Sequence, residues 1–324
     1  MLDKLSCEEA LADLRRVFKV MMPDEDSIAL TRELWQEWEK SGERPPDISE
    51  IAKEHAIHEN GFFYELVKVA ERMDGSALNI HFCQVSLEEY SACALSATDG
   101  YIVLVDDVFF QLLYILSNIM VFDAMGVIDK GERETVKTFV QEIIDTNYFQ
   151  RQRFDFTVDN IHNTILKRDY ELAELANYLF HAFKAFILAH EIGHHVLKHT
   201  TGGVKKILSA NGHTDTVEVD SRSIAREFEA DSYGYRLFSA LCNTVDDSVY
   251  YAYCKYKLMF APLLLFQLFD RLDRMQERRT QEPVGYTQHP HPLERAEALS
   301  AVYPVDAGDP LCVAIRDAMV FYMS

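Results

Sequence analysis

The chain has 324 residues, 48% of them hydrophobic and 26% charged, a composition that excludes disorder, collagen and low complexity. Asp and Glu outnumber Lys and Arg by 52 to 32, and the formal charge of −20 repels phosphate backbones and anionic lipid, which argues against a nucleic-acid partner. Gly (13) and Pro (9) are sparse, as expected of a chain built mostly from helices and not of a turn-rich sandwich or barrel.

The chain opens with Ser6-Cys7-Glu8-Glu9, a capping-box start for an amphipathic helix to about Val20. Asp3, Glu8, Glu9 and Asp13 interrupt the apolar run that a signal peptide needs. Helical patterns follow at about 25–40, 47–58 and 61–73, with the breaker Arg44-Pro45-Pro46-Asp47 between the first two. The period then shortens: 78–85, 89–97 and 101–105 read as strands, the last two joined by the turn Thr98-Asp99-Gly100, which predicts a small antiparallel sheet. Helices are expected at about 107–125 and 132–146, then a less regular stretch to 168, then a long helix from about 169 to 199 stopped by Gly202-Gly203. Residues 204–220 read as a loop, and helices return at about 221–243, 248–274, 292–302 and 310–322. No repeat or long linker marks a boundary; the working division is a helical region 1–75 and a main domain 76–324, with a single domain as the alternative.

Six scattered cysteines (Cys7, Cys83, Cys93, Cys242, Cys254 and Cys312) include no C-x-x-C pair and read as buried thiols of a reducing compartment. The uncharged runs Val108–Phe122 and Leu258–Phe269 fall short of the ~20 residues that span a bilayer, so they read as core helices of a soluble cytoplasmic protein with no membrane span.

The chemistry lies in Ala189-His190-Glu191-Ile192-Gly193-His194-His195, inside the long predicted helix. His190 and His194, four apart, project from one face and can place two imidazole nitrogens on one zinc ion. Glu191 is rotated about 100° from His190, beside the metal and not on it, where the general base for a metal-activated water belongs. Catalytic zinc wants a third protein ligand from another element. The next helix offers Glu227 and Asp231, four apart in Arg226-Glu227-Phe228-Glu229-Ala230-Asp231. Glu227 is then the third ligand. Asp231, a turn on, can accept the free N–H of a ligating histidine and fix its tautomer. Glu229 points roughly 200° from Glu227, toward solvent or a neighbouring helix.

H-E-x-x-H followed by E-x-x-A-D, and then by Thr287-Gln288-His289-Pro290-His291-Pro292-Leu293-Glu294-Arg295, resembles the zinc metallopeptidases called gluzincins, in particular the HtpX, Oma and CAAX-processing type. Most of that class is membrane-embedded. Among its soluble members the pattern is more similar to the Lit-type phage-exclusion peptidases, which also carry a strand and an aromatic-rich helix upstream, here Tyr101–Val105 and Val108–Phe122. The resemblance covers about residues 100–300. It implies a zincin-like α+β fold, mostly helical, with a small antiparallel sheet beside the zinc-binding helix, and Zn2+-dependent endopeptidase activity on a protein or peptide substrate. In that reading a strand edge near the cleft pairs with extended substrate, and His289 and Arg295 approach the metal to stabilise an oxyanion. Two other readings stay open: His289 and His291 as ordinary helix-start residues before Pro292, and Arg295 as a structural ion-pair partner.

Elsewhere the bland reading is preferred. His195 and His199 form a second i, i+4 pair expected on a solvated face. The phenylalanines before His190 recur at core spacing, Tyr250–Tyr256 reads as half-buried tyrosines, and Asp270–Arg279 as a solvated helix face. The competing function is a zinc-stabilised regulatory or interaction protein with a latent or closed site. A regulatory partner that displaces the Gly-rich loop after the zinc helix is also compatible with the residues.

Overall fold

A computed structural model of the chain describes residues 5–17, 62–85, 92–152, 154, 165, 167–200, 204–210, 213–219, 224–244, 258–286, 289–303 and 307–324. The helical patterns at 25–40 and 47–58, the segment 248–257 with its tyrosines, and the glycines at 202, 203 and 212 lie outside the described residues.

The architecture is α+β and mostly helical. Helix α1 (Cys7–Val17) begins on the expected capping box: the Ser6 N–H donates to Glu9 Oε2 at 2.9 Å, and the Glu9 N–H to Ser6 Oγ at 3.3 Å. Helix α2 covers 62–74. Strands β1 (Ile80–Val85), β2 (Ala92–Ser96) and β3 (Tyr101–Asp106) lie side by side, with β3 between the edge strand β1 and β2. The β2–β3 hairpin is antiparallel, Ala92 facing Val105 and Ser96 facing Tyr101. A Cβ at position 100 would overlap the carbonyl of Asn79, so its turn requires glycine.

The sheet differs from expectation in two ways. β1 runs parallel to β3, in register from Ile80–Tyr101 to Val85–Asp106, so the sheet is mixed and not antiparallel. Residues 204–220, expected to be a loop, hold a second hairpin, β4 (Val204–Ala210) and β5 (His213–Val219), which extends the sheet through the single pair Leu95–Val219. The dipeptide Asn211-Gly212 between them in the sequence is a strong short-range hairpin signal.

Alternation along the strands splits the core. Cys83, Val85, Ile102 and Leu104 face α1 through Cys7, Ala10 and Leu14, while Ile80, Phe82, Val103 and Val105 face the main helical core. There α3 (Asp107–Ala124) and α5 (Tyr170–Val196) lie side by side, apolar on nearly every face and buried accordingly. Helix α4 (Arg133–Ile143) runs into a wider turn at Ile144–Phe149. Helix α6 (Ile224–Thr244) packs along α5, and α7 (Ala261–Thr280), α8 (Pro292–Val302) and α9 (Pro310–Tyr322) close the far side. α8 and α9 start where their prolines and capping residues predict: His291 Nδ1 accepts the Leu293 N–H, Asp309 Oδ1 accepts that of Leu311, and Pro292 and Pro310 open the helices.

Both α3 and residues 171–196 of α5 are long and apolar enough to cross a membrane by length and composition alone, and most of each is buried inside the protein. Cys7, Cys83, Cys93, Cys242 and Cys312 are buried thiols outside any disulfide.

Candidate metal centre

Helix α5 starts on an Asp169 cap, whose Oδ1 accepts the Leu172 N–H at 3.1 Å, and runs through the core to Val196. It ends earlier than expected, and without the glycines. Lys198 takes the left-handed conformation (φ 59°), its N–H bonds to the His195 carbonyl at 3.0 Å, and the His199 N–H bonds to the His194 carbonyl at 2.8 Å. This is a Schellman closure with lysine where glycine is usual.

Helix α6 crosses α5 at the site. Small residues allow the approach: a Cβ on Gly193 would sit 3.2 Å from Tyr233 Cδ1, and one on Gly234 only 2.9 Å from the His190 backbone nitrogen. Neither glycine was singled out from the sequence, because close helix approach leaves no local signature.

The crossing brings together His190, His194 and Glu227, all buried, with ligand atoms within 4.8 Å of one another. His190 Nε2 and His194 Nε2 are 3.1 Å apart, and the Glu227 oxygens lie 3.6 Å from the first and 3.5 Å from the second. Glu227 Oε1 is buried without a hydrogen-bond partner, as is Oε2 of the buried Glu191. A buried carboxylate oxygen with nothing to bind costs ~1–3 kcal/mol or more, which a cation at the centre of the cluster removes. The cluster can hold a metal ion.

Partners surround the cluster. Asp231 Oδ1 accepts from His190 Nδ1 at 2.9 Å and from Arg295 Nη2 at 2.6 Å, while Asp231 Oδ2 accepts from Arg295 Nε at 2.8 Å. Both His190 Nδ1–H and the guanidinium are then donors to one carboxylate, so the 3.4 Å separation between them is adjacency and not a bond. The guanidinium also lies 4.7 Å over the Phe266 ring. His289 Nδ1 is 3.0 Å from Glu227 Oε2, with its side chain 40% exposed.

These contacts set the charges. Burial opposes charge on Glu227, but hydrogen bonds from His190 and His289 and the Arg295 charge hold its carboxyl far below the usual range. Burial likewise opposes ionised Asp231, which Arg295 and His190 nonetheless hold below its ordinary value. Burial acts against charged Arg295 too, and Asp231 and Glu227 raise its pKa in spite of it. His190, also opposed by burial, is pushed up to about 9 by Asp231 and Glu227.

The structure gathers six of the residues that the motifs nominated, His190, His194, Glu227, Asp231, His289 and Arg295, at one centre; Glu191 is buried next to His190 in the chain, and its charge acts on Arg295. Of the two readings of Arg295, its geometry is that of the ion pair with Asp231. His291 is the cap of α8. Two expectations are corrected. His195 and His199 are buried and not solvated: His195 stacks on Tyr101 at 4.3 Å and is kept neutral by burial, its pKa near 3, while His199 contacts His194. Glu229 is exposed, as expected, and also lies 2.9 Å from His199 Nε2. Asp270, expected on a solvated face, is buried.

Comparison with known protein families, curated proteins and solved structures yields no match.

Proposed function

We propose that this chain is a zinc-dependent endopeptidase of zincin-like fold, with Glu191 as general base. The observation that carries the reading is the three-residue donor set of His190, His194 and Glu227 beside a buried Glu191 with an unpartnered oxygen. Donors on a four-coordinate zinc with bonds of ~2.0–2.1 Å are about 3.3 Å apart, close to the 3.1, 3.5 and 3.6 Å separations found here. Two histidines and a carboxylate suit zinc, and a set of three protein ligands leaves a position open, as catalysis needs and a structural site does not. Among the described residues no fourth ligand joins the cluster; His289 engages Glu227 instead.

Held by His190, His194 and Glu227, zinc would supply a water of pKa near 7 and a Lewis acid for the scissile carbonyl. Glu191 Oε2 takes the proton from the attacking water and passes it to the leaving amine nitrogen. Asp231 holds the His190 tautomer that leaves Nε2 free to ligate, and Arg295 holds Asp231, so Arg295 is a positioning residue. His289, half-exposed and joined to Glu227, is the side chain we assign to the oxyanion. Extended substrate would pair with an outer strand, β1 or β4. The buried thiols outside any disulfide, together with the acidic composition, support a reducing, cytoplasmic setting and a protein substrate.

The test compares wild type with Glu191→Gln by metal analysis and by N-terminal proteomics of expressing cells. Near-stoichiometric zinc in both, with new protein termini in wild type alone and activity at least ~100-fold lower in the variant, is the expected result. Zinc-free wild type, or the same termini from both, would sink the proposal.

A further inference from the structure

The two histidines of the cluster are supported differently. His190 meets a carboxylate directly, whereas His194 Nδ1 lies 3.2 Å from His199 Nδ1, and His199 Nε2 lies 2.9 Å from Glu229 Oε2. His194 and His199 are 2% and 4% exposed; the Glu229 side chain, at 61%, is open to solvent.

Proton placement follows from the metal. A histidine that ligates through Nε2 carries its proton on Nδ1 and must donate there. His199 Nδ1 is then the acceptor, so His199 carries its own proton on Nε2 and donates it to Glu229. This arrangement gives both nitrogens of each ring a role, and each N–H points away from the metal.

We propose that His199 and Glu229 are positioning residues for His194, a histidine–histidine–carboxylate relay from the buried cluster to the surface. The inference rests on the metal-binding reading above. The backbone is built for it. A continuous helix would carry position 199 about 140° around from His194. The left-handed Lys198 instead folds the chain back and sets the two rings edge to face at 5.2 Å. Arg226 Nη1 donates to the His199 carbonyl at 2.9 Å, so α6 holds the backbone of His199 one turn before it supplies Glu229. The relay ties the end of α5 to the start of α6, the two helices whose crossing makes the site.

Zinc affinity by chelator competition, together with the visible spectrum of the cobalt(II) protein, decides the question on wild type, His199→Leu, His199→Asn and Glu229→Gln. His199→Leu should bind zinc ~10–100-fold more weakly, as loss of an outer ligand support does, and shift the cobalt bands. His199→Asn, whose Oδ1 takes the place of Nδ1 as acceptor, should recover affinity to within about fivefold with the wild-type spectrum. Glu229→Gln is at the surface and keeps an acceptor, so it folds even where the leucine variant does not. It should weaken zinc by about two- to tenfold and move the cobalt bands in the same direction as His199→Leu. Unchanged affinity and spectrum in Glu229→Gln and His199→Leu would overturn the relay, as would equal losses in His199→Leu and His199→Asn, which mean packing alone. Wild type that binds no zinc overturns the proposed function; zinc-replete wild type with indifferent variants overturns the relay only.

Discussion

Gly234 lies against the backbone of His190, so close that a Cβ would come within 2.9 Å of its nitrogen and 3.0 Å of its Cα. In an open helix Gly→Ala gains ~1 kcal/mol. Here the added methyl meets rigid backbone, so Gly234→Ala should instead destabilise by about 1–3 kcal/mol and separate α6 from α5. Because that separation pulls Glu227 from the two histidines, zinc affinity should fall as well. Urea unfolding and chelator competition check both; a variant more stable than wild type would refute the close-approach argument.

Glu227 and Glu229 are two residues apart on α6, yet one is fully buried in the cluster and the other exposed. Glu227→Gln should cost more than ~100-fold in zinc affinity, beyond the loss expected for any residue outside the ligand set, including Glu229→Gln. Metal analysis after dialysis is sufficient, and the reverse ranking would remove Glu227 from the ligand set.

Arg295 and Asp231 form a buried bidentate pair. Arg295→Met leaves the buried Asp231 carboxylate with His190 as its remaining partner and should cost about 3 kcal/mol of stability in metal-free protein. Asp231→Leu combined with Arg295→Met removes both charges and should recover much of that loss while leaving zinc weakly bound, since the His190 tautomer is no longer held. Denaturation curves of the single and double variants measure the recovery.

Lys184, six residues before His190 on α5, is buried, with its ammonium 5.2 Å from the Phe110 ring centroid. Burial pulls its pKa from 10.5 down to about 7. Between about 7 and 10.5 the unfolded chain holds a proton that the folded protein does not, so this group makes stability rise with pH across that window by up to ~1.4 kcal/mol per unit. Lys184→Met should be more stable than wild type at pH 7 and lose most of the advantage by pH 10. Urea midpoints at pH 7 and 10 test it; parallel midpoints for both proteins would contradict the assignment.

Much was legible where the signal is local. The Ser6–Glu9 capping box, the prolines that open α8 and α9, and the period-2 runs of β2 and β3 depend on neighbours within a few residues, and they appear at the predicted positions. The parallel pairing of β1 with β3 was not legible, because strand order depends on which edges meet in space. The β4–β5 hairpin had a local signal in Asn211-Gly212, masked by the expectation that a segment following a long helix and two glycines is a loop.

By itself the sequence determined the donors. Spacing of four on a helix brings His190 with His194 and Glu227 with Asp231, and the 100° step sets Glu191 off the face that carries the two histidines. Only the tertiary structure decided what surrounds them: that Gly193 and Gly234 let two helices touch, that Arg295 spends its charge on Asp231, and that His199 stands behind His194. The reason is helical regularity. Periodicity places residues only while the helix continues, and α5 stops at Val196, where one left-handed residue turns a predicted solvated histidine into a buried partner of the metal centre.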